Sequence, residues 1–537
     1  MIRKFRLLLL VNAALLGATL VYEIIHHRSR LSTSHQSAQS TSTTINFALR
    51  QAREASEVLT EDLHIDHTLD VLRQDANLYR PSVGSGLQHS AKDIGLASAN
   101  AAIILFCYNR EGYLERTLRS LASLKGLEHF TVYISQDGDH TGVSRLIQTT
   151  GAALMLEASA RGFQHWQHPR KPVLGEQQAG HAWLSQHYRW GLSKLFGERG
   201  HTHAIILEDD MLFSPDFLTM FQATAPLLEE DPSLWCVSSW NDNGLAALDW
   251  RPERLRRTSY FPGLGWMLRR EVWLEIGRDF PDQAWDHWMR LNSTSRGRDC
   301  IVPEVSRNKN IGEIGANMNA ATFRKFLNGM AWAQVPVEDF GDLGYLHQDA
   351  YEATQAELVS LAQLWEGSFV DAAFEPGKVY LHPYKLEEYE ALVKPLGLWP
   401  FPRGHQRHLT WLPIQGATVL LADQRSCPLL PDSLRIRAYP GLQPSAAQRG
   451  IDCNAACKER GMECSQQDFW FLNSCEVLRQ HFPCERGCTV ELGQDIPNYV
   501  VDPDLATHQT CLIAQKQPAC GASHPATARL CPCIEAA

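Results

Sequence analysis

Short apolar runs alternate with amphipathic segments through the middle of the chain. Four runs are apolar enough for strands that are covered on both faces: residues 101–106, 130–135, 204–207 and 234–239. Between the first two runs, leucines recur at helical spacing: Leu114, Leu118, Leu121 and Leu124. Residues 181–196 also have an amphipathic helical pattern. Because strands alternate with helices, we predict an α/β protein with a parallel, doubly wound, Rossmann-like sheet.

Three consecutive acids, Glu208, Asp209 and Asp210, follow the apolar run 204–207. In such a sheet they lie at the carboxyl ends of the strands, which is the edge where ligands bind. Adjacent carboxylates repel one another, by about 1 kcal/mol per pair at close range in water and by more near a protein surface. A hard divalent cation such as Mg²⁺ or Mn²⁺ would offset this repulsion and would commonly bridge to phosphates of a substrate. A solvated acidic turn is the alternative interpretation.

Other side chains that could bind a ligand or take part in catalysis are expected near the same edge. Arg110 and Asp137 follow the first two predicted strands, although surface roles are the alternative for both. His187 lies within the helical segment 181–196, where it either touches a ligand or packs structurally. Asp286 lies in WDHW, and burial against indoles raises the pKa of a carboxyl group, which suits a general base; a structural role is equally compatible. The sequence has no glycine-rich phosphate loop, so metal and arginine would have to hold phosphates.

Charge and cysteine content narrow the class of protein. The formal net charge of the 537 residues is -10 and no basic stripe is apparent, which argues against a nucleic-acid partner. Eleven of the 14 cysteines lie between Cys427 and Cys533. This density indicates an oxidising compartment and a disulfide framework, which CxxxC spacing and scarce histidines favour over zinc.

The amino terminus predicts how the chain reaches that compartment. Arg3, Lys4 and Arg6 precede an apolar stretch at residues 7–25, which is just long enough to span a thin membrane. We expect a cytoplasmic tail at residues 1–6 and an uncleaved signal anchor at residues 7–25, with a cleaved signal peptide as the alternative. A polar stem then covers residues 26–99.

Several long motifs together carry a family resemblance. They are ILEDDMLFSPDF, LWCVSSWNDNG, FPGLGWML, WDHWMR and RGRDCIVPEVSR, with QHYRW upstream. In this order they resemble the alpha-1,3-mannosyl-glycoprotein 2-beta-N-acetylglucosaminyltransferase family, from about residue 101 to about residue 423. The resemblance implies a GT-A nucleotide-sugar transferase fold, UDP-N-acetylglucosamine (UDP-GlcNAc) as donor, Mn²⁺ as cofactor and inversion at the anomeric carbon. It also implies a single-pass type II protein of the Golgi membrane that acts on glycoprotein N-glycans.

The same resemblance assigns roles to the candidate residues. Asp210 corresponds to the metal ligand and Asp286 to the catalytic base, while Glu208 and Asp209 correspond to contacts with the donor sugar and ribose. Residues matching nucleotide contacts are Arg110, Asp137 and His187. Asn317, within GANMN, takes the place of a serine near the pyrophosphate.

The chain departs from the family pattern at two places, and the second of them, GANMN, leaves the acceptor open. His287 stands where the family has a second acid, and GANMN looks like the related protein O-linked-mannose beta-1,2-N-acetylglucosaminyltransferase. Transfer to the alpha-1,3-arm mannose of a high-mannose N-glycan is the main prediction. Transfer to O-linked mannose, or a catalytically inactive lumenal glycan-binding protein, are the alternatives.

The resemblance also divides the folded part of the chain. A GT-A catalytic domain is expected at residues 100–335, the carboxyl-terminal part of the transferase region at 336–424, and a cysteine-rich module at 425–537. Residues 403–423 read as a β-hairpin around Gln415 and Gly416. Cys236 and Cys300 match a family disulfide, whereas Cys107 lacks its expected partner.

Overall fold

The computed structural model describes residues 100–170, 179–315, 318–505 and 507–536, which all belong to one compact unit, Ser90–Ala537. The predicted tail, signal anchor and stem lie outside these residues. Within the described ranges, no helix combines the length and apolar character needed to cross a membrane.

Strands and helices alternate in the first half of the described chain, and short strands dominate the second half. In chain order the strands are β1 Ala101–Cys107, β2 Thr131–Asp137, β3 Gly162–His168, β4 His203–Glu208, β5 Met211–Phe213, β6 Leu234–Ser238, β7 Leu255–Thr258, β8 Trp266–Arg269, β9 Asp299–Pro303, β10 Asn308–Asn310, β11 Gln363–Leu364, β12 Val379–Tyr384, β13 Leu409–Ile414, β14 Ala417–Asp423, β15 Gln443–Ala446, β16 Met462–Cys464, β17 Cys488–Glu491, β18 Asn498–Val500, β19 Cys511–Ala514 and β20 Thr527–Glu535.

The α-helices are mostly short. In chain order they are α1 Glu111–Ala122, α2 Thr141–Leu146, α3 Ala152–Glu157, α4 Ala179–Ser193, α5 Phe217–Glu230, α6 Arg270–Ile276, α7 Trp285–Met289, α8 Asn292–Ser295, α9 Ala320–Phe326, α10 Gln348–Leu361, α11 Tyr389–Val393, α12 Cys453–Lys458, α13 Phe469–Leu472 and α14 Cys475–His481. Two stretches of π-helix, Ile147–Gly151 and Lys194–Glu198, continue α2 and α4. Single 3₁₀ turns cover Leu127–His129, Gly277–Asp279, Gly344–Leu346, Leu386–Glu388, Lys394–Leu396, Asp432–Leu434 and Gln466–Asp468.

An eight-stranded sheet with the order β3-β2-β1-β4-β8-β6-β9-β7 organises the first half. The prediction of parallel pairing is confirmed for β3, β2, β1 and β4. It is wrong for β8, which runs antiparallel to both β4 and β6, and for β7, which runs antiparallel to β9, whereas β6 and β9 pair in parallel. The chain reaches β7 through residues 239–254 and β8 through residues 259–265, neither of which contains a crossover helix. The observed sheet is therefore mixed.

Both faces of the parallel half are covered, as the continuous apolar run of β1 requires. Ile103 and Leu105 pack into one core cluster together with Leu118 of α1 and Phe221 of α5. The alternate β1 residues face a second cluster, which includes Tyr188 of α4. Alternation of side chains across the strand thus seats a helix layer on each face and leaves the carboxyl edge of the sheet to the loops.

Residues 261–268 contain two glycines, which suit either a loop that lies against a ligand or a tight turn in the core. In the structure these residues form a turn in the core. Gly263 and Gly265 both have positive φ angles, of 68° and 73°. A Cβ atom at Gly265 would overlap the Ser239 hydroxyl and the Asn308 amide. The glycines are therefore needed for backbone conformation and close packing.

A second, four-stranded sheet has the order β11-β12-β14-β13. The predicted hairpin is confirmed: β13 and β14 pair antiparallel around Gln415 and Gly416, which both have positive φ angles. Cys427 is a buried free thiol that packs with Leu409 and Leu420 of this sheet. It therefore does not belong to the disulfide framework expected around it.

The remaining ten of the eleven carboxyl-terminal cysteines do form disulfides within a module built on β15 to β20. The bonds are Cys453–Cys531, Cys457–Cys533, Cys464–Cys520, Cys475–Cys488 and Cys484–Cys511. The Cys236–Cys300 disulfide that the resemblance implies is also present, joining β6 to β9. Cys107 is free and buried.

A buried arginine ties the far half of the sheet together. Arg257 of β7 is 2% exposed. Its guanidinium donates to Asp299 of β9 at 3.0 Å and to Asp231, the residue after α5, at 2.9 Å. Buried ion pairs of this kind are costly to break because removing one partner leaves a charge unpaired.

We expect Arg257→Met to lower the free energy of unfolding by about 3–5 kcal/mol, because it leaves two buried carboxylates without their cationic partner. Urea unfolding followed by tryptophan fluorescence measures this change. Arg119→Ala, which breaks the exposed pair of Arg119 with Glu115, is the matched control and should cost less than about 1 kcal/mol. Equal effects of the two substitutions would contradict this interpretation of Arg257.

Candidate active site

The acidic triplet lies where β4 ends, and a threonine from α1 fixes its backbone. Asp209 and Asp210 are buried, with 3% and 6% of their surface exposed. The Thr117 hydroxyl donates to the Asp209 carbonyl oxygen at 2.8 Å and accepts from the Met211 N–H at 3.1 Å. The turn is therefore tied to α1 on one side of the sheet, and the two aspartates are held out of bulk water.

One guanidinium offsets the charge of the triplet. Arg110, at the start of α1, places Nη1 2.8 Å from Oδ2 of Asp210 and forms a short hydrogen bond with Asp209. Burial raises the pKa of Glu208, and the neighbouring Asp210 charge adds to this rise. Burial also raises the pKa of Asp209, although Arg110 opposes that rise. One cation for three carboxylates leaves the edge electrostatically suited to a second cation.

The residues at this edge fit a hard divalent cation. Oδ1 of Asp210 is buried and has no hydrogen-bond partner. Among the described residues, no three His, Cys, Asp or Glu side chains converge into a ready-made metal cluster. The free oxygen of Asp210 is the protein ligand that this edge offers to such a cation.

Gly312 leaves the space that the Asp210 carboxylate occupies. It follows β10, which pairs antiparallel with β5 and so brings residues 311–315 back over the triplet. The Ile311 N–H donates to the Asp210 carbonyl oxygen at 2.8 Å. A Cβ atom at Gly312 would overlap Oδ2 of Asp210. The absence of a side chain at this position therefore sets where the carboxylate can point.

Asp137 and His187 come together in a second polar cluster at the ends of β2 and β3. Asp137 accepts hydrogen bonds from Arg170 at 2.7 Å and is 2.8 Å from Nδ1 of His168. His168 stacks on His187 with ring centroids 5.1 Å apart, and Nε2 of His187 lies 2.8 Å from the Ser135 hydroxyl. Burial lowers the pKa of His187 to about 3, so its imidazole is neutral at physiological pH.

The buried thiol of Cys107 links the two clusters. Burial raises its pKa, and the charges of Asp209 and Asp137 raise it further. Both clusters therefore act electrostatically on the same atom at the end of β1. Arg110 follows β1 and Asp137 ends β2, and because these strands pair in parallel, both residues lie at the same edge of the sheet.

His168 and Arg170 are the members of this crevice that the sequence analysis missed. His168 pairs with Asp137 in the register between β2 and β3. The QHPR stretch at the end of β3 was the available signal, because its strand neighbours the strand that ends in Asp137. Asn317 lies outside the described residues, so its predicted contact stays a prediction.

Asp286 lies in the first turn of α7, which Ala284 initiates from a left-handed conformation. The expectation of a raised pKa is wrong. Burial alone would raise the pKa of Asp286, but Arg290, with Nη1 2.9 Å from Oδ2, and His287 together hold it below its usual value. Arg290 is one helical turn further along, so the WDHWMR motif itself contains the counter-charge. Asp286 is therefore ionised across the physiological range.

Tyr188 connects the triplet to the helix that carries Asp286. Its hydroxyl donates to Oε1 of Glu208 at 2.7 Å, and its ring stacks on Trp285 with centroids 4.3 Å apart. Asp286 and His287 line a cavity of about 800 Å³ beside this stack. A buried aromatic contact thus joins the edge that bears the acidic triplet to the helix of Asp286.

The fold and site define an α/β protein with a charged crevice at the carboxyl edge of its parallel strands, suited to an anionic ligand together with a cation. The motifs named above point the same way as a comparison with known families. The chain belongs to the GNT-I family, which matches it over residues 9–408.

One relative is a protein of Arabidopsis thaliana named alpha-1,3-mannosyl-glycoprotein 2-beta-N-acetylglucosaminyltransferase, 34% identical over 275 residues. The matched segment covers 50% of this chain and 60% of the relative, so the chain spans less than two thirds of that protein.

Likeness to solved structures is weaker. A mannosyltransferase, PcManGT from Pyrobaculum calidifontis in complex with GDP-Man and Mn²⁺, is 16% identical; the match covers 45% of this chain and 65% of that one with a TM-score of 0.27. TarS from S. aureus is 14% identical, covering 40% and 37%, also with a TM-score of 0.27. Scores this low support no conclusion about this chain.

We expect Gly312→Ala to weaken Mn²⁺ binding in the presence of UDP by about 10- to 100-fold, because the added methyl group displaces the Asp210 carboxylate. Electron paramagnetic resonance of free Mn²⁺ measures the affinity. Gly315→Ala, in the same loop, is the control because its Cβ would make only ordinary contact, 3.9 Å from Nη1 of Arg110. Unchanged Mn²⁺ affinity in Gly312→Ala would contradict the role of Gly312 in setting the position of the Asp210 carboxylate.

Proposed function

We propose that this protein is an inverting β-1,2-N-acetylglucosaminyltransferase with a GT-A fold, which moves GlcNAc from UDP-GlcNAc to the alpha-1,3-arm mannose of a high-mannose N-glycan. Membership of the GNT-I family and the name of the Arabidopsis relative support this proposal. The observation that carries it is the pairing of a buried Asp210, with one unpartnered oxygen, and an ionised Asp286, joined through Tyr188 and Trp285.

In this proposal the crevice residues bind the donor. Arg110, Asp137 and His187 surround the nucleotide, Asn317 contributes near the pyrophosphate, and Glu208 and Asp209 contact the donor sugar and ribose. A Mn²⁺ ion bound to Asp210 would neutralise charge on the diphosphate leaving group. Arg110 holds Asp210 and Asp209 in place, since its guanidinium already pairs with both carboxylates.

Asp286 acts as the general base on the opposite face of the donor sugar. Its carboxylate accepts the proton of the acceptor hydroxyl as that oxygen forms a bond to the anomeric carbon and the bond to UDP breaks. One such displacement inverts the configuration without a covalent intermediate. Arg290 keeps the carboxylate ionised and fixes its orientation.

The proposed setting is the lumen of the Golgi apparatus, with residues 7–25 as a type II membrane anchor. The six disulfides of the described residues fit an oxidising compartment of this kind.

Incubation with UDP-GlcNAc, Mn²⁺ and either a high-mannose N-glycan or an O-mannosyl peptide tests the function. We expect GlcNAc transfer to the N-glycan. Transfer to the O-mannosyl peptide alone would show that O-linked mannose, and not the N-glycan, is the acceptor. Transfer to neither would contradict the proposal.

We expect Asp286→Asn to lower kcat by about 10²- to 10⁴-fold while donor affinity stays unchanged, because only proton removal is lost. Transfer assays and calorimetric titration with UDP-GlcNAc and Mn²⁺ measure the two quantities. Asp349→Asn, which neutralises an exposed carboxylate on α10, is the control. Near-normal turnover of Asp286→Asn would show that another group is the base.

The pH dependence of transfer should change when Arg290 is replaced. In Arg290→Gln the largest charge that opposes the effect of burial on Asp286 is lost, so the pKa of Asp286 rises and the base becomes protonated at mildly acidic pH. We compare kcat/KM at about pH 5 with kcat/KM at about pH 7. Relative to the unsubstituted protein, we expect this ratio to be lower in Arg290→Gln and unchanged in Arg290→Lys. Identical pH profiles of the two variants would refute this role of Arg290.

A further inference from the structure

The cavity beside Asp286 has walls from two distant parts of the chain. Its volume is about 800 Å³. One wall belongs to the α/β part and includes His181, Asp286, His287 and Trp288. The facing wall belongs to the disulfide-rich module and includes Arg479, Thr489 and Glu491. The family match ends at residue 408, so the disulfide-rich module lies beyond the matched part of the chain.

The module is fixed directly against the helix that carries Asp286. Strand β17 packs on α7, and Leu291, just after α7, joins the module's core cluster together with Leu478. The Cys475–Cys488 disulfide ties β17 to α14, and Cys484–Cys511 ties the preceding turn to β19. The wall is thus braced within the module by disulfides and by the pairing of β17 with β19, and the packing of β17 on α7 places it beside Asp286.

The lining has the chemistry of a carbohydrate site. Arg479 supplies hydrogen-bond donors, Glu491 supplies acceptors and Thr489 supplies both, which matches sugar hydroxyls that donate and accept at once. The indole of Trp288 offers an apolar surface for the face of a pyranose ring. A lining with both charges does not favour a polyanion, and the volume lies within the range of roughly 300–1,000 Å³ for small-ligand sites.

We propose that the disulfide-rich module completes the acceptor site, binding sugar residues of a branched oligosaccharide beyond the mannose that Asp286 activates. This inference rests on the proposed transferase function. The module would then determine acceptor choice, because only acceptors that extend past the reacting sugar would contact Arg479 and Glu491.

The test compares two acceptors in the full-length protein. We expect Arg479→Ala and Glu491→Ala each to raise KM for a branched oligomannose about tenfold, because a charge-assisted hydrogen bond to the acceptor is lost. KM for methyl α-mannoside should stay within about twofold. Arg460→Ala, at an exposed arginine elsewhere in the module, is the control for both acceptors. Equal effects on both acceptors, or no effect on either, would overturn the proposal.

A binding measurement separates this inference from the transferase proposal. Oligomannose is titrated into Asp286→Asn and into Asp286→Asn with Arg479→Ala, and no turnover is required. Binding that is about tenfold weaker in the double variant supports the site even if the parent protein transfers nothing. Equal binding by the two proteins overturns the site even if the parent transfers GlcNAc. Circular dichroism and intact disulfides verify that the variants are folded.

Discussion

The charge imbalance at the end of β4 is the constraint on which the site depends. Two buried aspartates share one guanidinium, with Glu208 beside them, in a place where burial has removed most of the water that would otherwise screen Asp209 and Asp210. Parallel pairing of β1 with β4 is what brings Arg110 to Asp209 and Asp210, because both follow adjacent strands at one sheet edge. An edge of this kind binds a cation most readily when an anionic ligand arrives with it.

The parallel half of the sheet was predictable because its strands are continuous apolar runs separated by helices. The reversed directions of β7 and β8 were not predictable, since these strands are four residues each and are placed by loops that lack a periodic signal. The cysteine content correctly predicted a disulfide framework, yet composition alone could not show that Cys427 packs into the preceding sheet instead. Strand direction and core membership depend on contacts between distant segments.

The candidate site shows the same division. Arg110 and Asp137 lie at one edge of the sheet because β1 and β2 pair in parallel, whereas their contacts with a donor stay predictions. The indoles beside Asp286 predict a raised pKa, which is wrong because Arg290 lies one helical turn away in the same motif and stabilises the ionised carboxylate. Tyr188, which links Glu208 to Trp285, could not be found from the sequence because it connects three separate elements.

The most direct measurement is a crystal structure with UDP-GlcNAc and Mn²⁺, using anomalous scattering to locate the metal. The account predicts that the ion is bound by Asp210 and the diphosphate, and that the anomeric carbon faces the Asp286 carboxylate across room for one hydroxyl group. A metal bound away from Asp210, or a donor sugar whose anomeric carbon is screened from Asp286, would contradict it.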